Sequence, residues 1–264
     1  MRVRLLFMRV RVLRGISFRI LKIYWKIRDI LNPSNSFLTE SAILINAARI
    51  KHLKNFKVLF EKKRILELGA GIGFFSKELA HQSKTLTVTE GRNSLVRVLQ
   101  KNLKQYMNVE VFKVDVENPE DLKYLRQREK VDTLFCYGLL YHLSNPEKFL
   151  LDISPLTNNL ILETVVDYSS DNWISVKETP RANQAIHLGC RPNPNWILNE
   201  LKKYFRFVYV CHEVPDHPDF LWKSISNPPT TTSRMIFVGT SDLLFSDTLL
   251  LSHTPELPYV TSNG

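Results

Sequence analysis

Cysteine is scarce in this chain: Cys136, Cys190 and Cys211 are scattered along 264 residues. An odd number with no C-x-x-C pair offers neither a metal knuckle nor a redox motif, and it predicts free thiols in a reducing compartment. No His/Asp cluster with ligand spacing occurs, so no metal is expected. Runs of 18 apolar residues are absent, which predicts no transmembrane helix. Arg or Lys recurs through the N-terminus and interrupts any apolar core of a secretory signal, so a cytoplasmic protein is expected. Acidic residues are missing from residues 1–28, which hold nine Arg or Lys. The net charge of +10 therefore sits almost wholly at that end, with about +1 left for the body. That distribution argues against a nucleic-acid binder that uses its whole surface. Repeats and low-complexity tracts are also lacking.

What is present begins with the basic end. Ile16, Ile20, Ile23, Ile27 and Leu31 recur at helical spacing, with Arg19, Lys22, Lys26 and Asp29 on the other side. This predicts an amphipathic cationic helix ending before Asn32-Pro33-Ser34. It suits an anionic membrane surface, with Tyr24 and Trp25 near the interface, or RNA phosphates, and equally a plain packing helix. Attachment to a membrane would place the protein at the inner membrane surface. Residues 1–36 are read as a basic extension, 37–242 as the main domain with an insert at 167–195, and 243–264 as a C-terminal tail.

The main domain alternates. A helix over 37–60 precedes a strand at Arg64–Leu68, a helix at Gly73–Gln82, a strand at Lys84–Thr89 and a helix at Ser94–Lys104. Further strands are expected at Asn108–Val114, Val131–Tyr137, Asn159–Val166, Arg206–Cys211 and Arg234–Thr240, with Asn195 capping a helix at Trp196–Phe205. Strands alternating with helices predict an α/β fold, a doubly wound, mostly parallel sheet of seven strands.

The first strand runs into Glu67-Leu68-Gly69-Ala70-Gly71-Ile72-Gly73. Glycines allow positive φ and close ligand approach, and the helix that follows presents free N–H groups. A dinucleotide fingerprint would need its third glycine one position later. The pattern E-x-G-x-G-x-G instead resembles motif I of the class I S-adenosylmethionine-dependent methyltransferases. After the fourth strand, Gly138-Leu139-Leu140-Tyr141-His142-Leu143-Ser144-Asn145-Pro146 is similar to the branch of that family carrying G-x-L-Y-H-L-x-x-P. The two matches together cover roughly residues 62–165.

The resemblance implies a Rossmann-like methyltransferase fold, with a seventh strand inserted antiparallel, and S-adenosyl-L-methionine as cofactor. Glu67, Gly69, Ala70, Gly71 and Gly73 would border its methionine end, and Tyr137 and Gly138 would lie beneath that part. Glu90 closes the second strand and would accept from the ribose hydroxyls, a task suited to an acceptor-only carboxylate. Asp115 would accept from the adenine amino group with the Val116 amide on the ring, although Asp115 also reads as a helix N-cap. His142 or Tyr141 is the candidate base, and a His142 that merely braces its loop is the alternative. In the insert, Asn183, Gln184, His187 and Arg191 are candidates for the acceptor. Glu163 in an apolar strand needs a partner.

Implied is a methyltransferase acting on a small-molecule, glycan or lipid-linked acceptor. Two alternatives stand beside it. One is an RNA-directed enzyme, since Leu162-Glu163-Thr164 with Leu140-Tyr141-His142 is similar over a short stretch to an enzyme of the tRNA wobble uridine. The other is a non-catalytic binding protein using residues 1–31. DNA is not expected as partner: Asn227-Pro228-Pro229-Thr230 has the wrong fourth residue and place for amino-methyltransferases, and no Pro-Cys pair supplies a cytosine-C5 nucleophile.

Overall fold

The computed structural model describes residues 34–178, 188–220 and 232–253. The cationic helix expected over 16–31, the candidates Asn183, Gln184 and His187, and Asn227-Pro228-Pro229-Thr230 lie outside the described residues.

Thr39, in extended backbone, accepts the Ala42 N–H at 3.2 Å and starts helix α1 (Glu40–His52). Glu40 in its first turn and Arg49, Lys51 and His52 in its last complement the helix dipole. The single helix expected over 37–60 is instead broken. A 3-10 turn at Leu53–Phe56 separates α1 from the one-turn α2 (Lys57–Phe60). Its tighter winding changes the phase, so that Leu53, Phe56, Leu59 and Phe60 all bury.

Then the alternation runs as expected: β1 (Arg64–Glu67), α3 (Phe74–Gln82), β2 (Thr85–Glu90), α4 (Asn93–Leu103), β3 (Val109–Lys113), α5 (Pro119–Arg126), β4 (Val131–Tyr137), α6 (Pro146–Ile153) and β5 (Thr157–Val166). The insert forms a separate antiparallel hairpin of β6 (Trp173–Lys177) and β7 (Leu188–Pro192). α7 (Pro194–Lys202), β8 (Phe207–Cys211), β9 (Ser233–Thr240) and β10 (Leu249–His253) complete the chain. The cap of α7 is Asn193, not Asn195: its side chain accepts the Asn195 N–H at 2.8 Å. Pro194 supplies the reason, because proline suits the first helical position and holds the residue before it extended.

The main sheet has the order β10-β8-β9-β5-β4-β1-β2-β3. β1 pairs in parallel with β2 and β4, β2 with β3 and β4 with β5. β9 inserts antiparallel between β5 and β8, as the resemblance implies. An eighth strand was not expected. β10, within the segment read as a tail, adds antiparallel to β8. Its run Leu249-Leu250-Leu251 has the apolar character an edge strand can use.

Two cores follow from the period of two along the central strands. Leu66, Leu134, Cys136, Leu160 and Leu162 face Leu122 of α5, Phe149 and Ile153 of α6 and Ile197 and Leu201 of α7. The alternating residues Ile65, Phe135, Tyr137 and Ile161 face Phe56, Phe60 of α2, Phe75 and Leu79 of α3 and Leu99 of α4. Phe135 is the hub of the second core. Its ring centroid lies 4.3 Å from Tyr137 in a stack, 5.5 Å from Phe75 and 5.8 Å from Phe60. Phe135→Ala is expected to cost about 3–5 kcal/mol in urea unfolding, while Phe135→Leu is expected to cost about 1–2 kcal/mol. Equal losses would show that the site relaxes around the cavity.

Candidate active site

The order reverses between β1 and β4, where adjacent strands send their connections to opposite sides and a crevice opens beyond their carboxyl ends. A cavity of about 440 Å³ occupies that crevice. Gly69, Ala70, Glu90, Asp115, Val116, Tyr137, Gly138, Tyr141 and His142 all line it. Glu67, Gly71 and Gly73 lie behind that wall, and Arg191 stands off in the hairpin.

The glycine loop owes its shape to φ values of 69°, 62° and 86° at Gly69, Gly71 and Gly73, the left-handed region that side chains avoid. At Gly71 the need is doubled. A Cβ there would come within 2.6 Å of the Phe37 ring, which folds over the loop from the segment before α1. The Gly71 N–H donates to Glu90 Oε2 at 2.9 Å. Glu90 also accepts from the Arg92 N–H at 3.0 Å and Arg92 Nε at 2.8 Å, and the Arg92 guanidinium lies 5.4 Å from the Phe37 centroid. Phe37 and Arg92 thus belong to the site, although nothing in their local sequence marks them.

Glu67 is 1% exposed, and neither carboxylate oxygen has a hydrogen-bond partner. Burial pushes it up from the ordinary 4.5 to about 7. The nearby Ser76 hydroxyl, without a hydrogen bond of normal geometry, pulls it slightly down, and the Glu90 carboxylate pushes it further up. Such a carboxyl keeps its proton to near neutrality unless a cation is brought beside it.

Asp115 does not cap α5. Asn118 does, accepting the Glu120 N–H at 3.1 Å, while Asp115 accepts from the Glu117 N–H at 3.1 Å in its own turn. Asp115 is therefore free of helix duty and stays on the cavity wall. Glu117 ties this loop to the next by accepting from Ser144 N at 2.7 Å and Ser144 Oγ at 2.6 Å.

His142 follows Tyr141 in a short 3-10 turn at Leu140–His142. Its Nδ1 lies 2.6 Å from Oε2 of Glu178, which is 36 residues further along at the end of β6. Burial would raise Glu178, but the His142 and Arg191 contacts outweigh it and hold the carboxyl below its ordinary range. Arg191 Nη2 reaches Glu178 Oε1 at 3.2 Å, and its Nη1 donates to the Tyr141 carbonyl at 3.1 Å. Gly189 permits the approach, since a Cβ there would collide with the Tyr141 carbonyl oxygen. Arg191 thus braces the dyad from behind. Glu178 carries no motif and was not expected. Arginine at 49 and 234 was also missed, yet the need for a cation at Glu163 was legible. Both guanidiniums reach Glu163 Oε1, at 2.9 and 3.0 Å.

Among the described residues, no group of three or more His, Cys, Asp or Glu is placed to hold a metal. Nor is any described helix long and apolar enough to cross a membrane.

A family model described as "Ribosomal RNA adenine dimethylase" matches residues 33–146. "Phosphoethanolamine N-methyltransferase 1" of Arabidopsis thaliana is 36% identical over 92 residues, 35% of this chain and 18% of that protein. "Ubiquinone biosynthesis O-methyltransferase" of Coxiella burnetii is 25% identical over 114 residues, 43% of this chain and 46% of that protein. The chain thus matches less than half the length of either relative. The fold is similar to the crystal structure of the N-terminal domain of EvdMO1 with SAH bound, at a TM-score of 0.62 and 21% identity over 77% of this chain and 85% of that one. The chain is thus similar to S-adenosylmethionine-dependent methyltransferases in the sequence of residues 33–146, which hold the glycine loop, and shares their fold.

Proposed function

We propose that this protein transfers the methyl group of S-adenosylmethionine to an oxygen or nitrogen of a small acceptor. The carrying observation is a single cavity bordered by the glycine loop and Glu90 at one side and by Tyr141 and His142 at the other. Its volume is in the range of small-molecule sites.

The residues fit the cofactor. Orphaned Glu67 supplies a buried anion toward a cationic methionine end, Glu90 supplies paired acceptors for ribose hydroxyls, and Asp115 with Val116 borders the place for an adenine. Gly138 has φ of 72°, and a Cβ on it would only touch Arg49 Nη1 and Glu163 Oε2 at 3.9 Å, without a clash. When bound, the cofactor supplies a methyl on a sulfonium, already a good leaving group. The protein's task is then alignment and removal of the acceptor's proton. His142 takes that proton, with Glu178 holding Nδ1 so that Nε2 is the accepting nitrogen. The acceptor's proton would end on the His142 imidazole, whose Nδ1 stays engaged by Glu178.

An RNA acceptor is the second reading, favoured by the ribosomal RNA family match and the nine basic residues in 1–28. Salt-sensitive RNA binding lost on deleting residues 1–31 supports it.

Calorimetry with S-adenosylhomocysteine is expected to give micromolar binding, weakened at least about tenfold by Glu90→Ala, which removes both ribose acceptors. No binding by folded wild type overturns the reading. Once an acceptor turns over, His142→Ala is expected to cost about 10²–10⁴ in kcat. Glu178→Gln is expected to cost less and to shift the pH profile with KM little changed.

Glu67 gives a pH test. Its folded value of about 7 exceeds the ordinary 4.5, so the folded state holds a proton across that window. The stability from this group is full at the low end and lost as pH rises through about 7. A bound cation favours the ionised carboxylate, so affinity for S-adenosylmethionine is expected to rise between about pH 6 and 8, by up to about tenfold. Glu67→Gln is expected to flatten this dependence. An unchanged slope in the variant would remove Glu67 from the cation's surroundings.

A further inference from the structure

The wall on the β5 and β9 side of the cavity carries two guanidiniums for one buried carboxylate. Arg49 descends from α1 and Arg234 stands at the start of β9, and both donate to the same oxygen of Glu163, which is fully buried. The other acid nearby, Asp219, is 52% exposed and reaches Arg234 Nε only at 3.4 Å. Arg49 Nε is buried with no acceptor. Arg234 Nη2 donates to the Tyr141 hydroxyl at 3.2 Å, with its guanidinium 4.9 Å from the Tyr141 centroid. Arg49, Arg234, Tyr141 and Asp219 all line the cavity.

The remaining acids around the cavity are committed elsewhere. Glu90 is held by Arg92 and the Gly71 N–H, Glu117 by Ser144, and Glu178 by His142 and Arg191. Asp115 lies beyond β3, at the far edge of the sheet. Position also separates Arg234 from the cofactor side. The glycine loop, Glu90 and Asp115 follow β1, β2 and β3, whereas Glu163 and Arg234 sit on β5 and β9, across β4 from them.

Resting on the methyltransferase reading, we propose that this wall recognises a negatively charged oxygen group, carboxylate or phosphate monoester, on the methyl acceptor. The planar fork of Arg234 and the Tyr141 hydroxyl are its donors, a match in geometry that a lone ammonium would not give. Asp219 turns to solvent as the anion takes its place, exchanging a long, half-exposed contact for a short one. The acceptor's nucleophilic atom then lies toward His142, the residue next to Tyr141. Neutral acceptors gain nothing from the second guanidinium and are discriminated against.

The test titrates the full chain, saturated with S-adenosylhomocysteine, with 4-hydroxybenzoate, phenyl phosphate and 4-hydroxybenzamide. At least one anion is expected to bind about tenfold or more tightly than the neutral amide, and the preferred anion identifies the group. Arg234→Lys keeps a cation beside Glu163 but loses the fork. It is expected to reduce the preference about tenfold while leaving affinity for S-adenosylhomocysteine within about twofold. Tyr141→Phe, which removes one donor and little volume, is expected to reduce it in the same direction. Equal affinity for all three probes, undetectable binding of all three included, overturns the proposal. So does a preference that both variants retain. Failure of wild type to bind S-adenosylhomocysteine strikes the methyltransferase reading instead, and is read separately from the probe titrations.

Discussion

Glu163 lies among Leu160, Ile161 and Leu162 on β5, at 0% exposure, where an isolated charge would cost several kcal/mol. Burial alone would push its carboxyl upward, but Arg49 and Arg234 overcome this and hold it below the ordinary range. The surroundings of the crevice hang on that triad. Arg49 ties α1 to the sheet, and Arg234 ties the start of β9 to β5. The same residue's carbonyl accepts the Gly138 N–H at 3.1 Å, so the turn after β4 is tied to it as well. Removal of one partner from such a group usually costs about 3–5 kcal/mol, because a charge is left buried and unmatched. The helix, the β4 turn and the β9 entry therefore move together or not at all.

Glu67 shows the opposite solution to the same problem. It too ends an apolar strand and is shut away from water, yet no cation is provided and the nearby Ser76 hydroxyl makes no hydrogen bond of normal geometry to it. Its carboxyl rises to about 7. Two glutamates of one sheet thus differ because one has its cations built in and the other lacks them. A structural role accounts for the first. The second fits a ligand that brings its own positive charge, and this is why an orphaned acid beside a glycine loop says more about function than a satisfied one.

Legibility in the sequence followed the reach of the signal. Strand and helix periods and the run from Glu67 to Gly73 are local, and they located β1 to β5, α3, α4 and the part of the cavity wall that follows β1 to β4. Glu90 and Asp115 were readable because strand ends in such a sheet meet at one edge. The N-cap of α7 was misplaced by two residues, since Asn193 and Asn195 flank a proline and both suit a cap. The strand β10 was missed because its pairing with β8 is long-range and its sequence reads as a short apolar run. Phe37, Arg92, Glu178 and Arg234 join the site through tertiary contacts alone. Glu163 was the exception that pointed outward: a carboxylate in an apolar strand required a cation somewhere, without saying which.

Apart from Arg92, the residues that escaped the sequence lie outside the run from β1 to β4. Phe37 and Arg49 belong to the segments ahead of β1, Glu178 to the end of β6 in the hairpin, and Arg234 to the entry of β9. The frame itself, from β1 to β4, presents glycines and acids, chemistry that suits one invariant ligand. The segments outside it present arginines and Glu178, which with Tyr141 and His142 after β4 form chemistry that suits a variable one. In the hairpin the link is direct. Because Gly189 lets β7 close on the Tyr141 carbonyl, Arg191 meets that carbonyl and Glu178 together, and Glu178 is set against His142. The orientation of the imidazole is then a property of the insert and not of the helix-strand frame. On the proposed reading, an acceptor site assembled this way can change with the insert while the glycine loop stays fixed, which directs the search for the acceptor to the hairpin, α1 and β9.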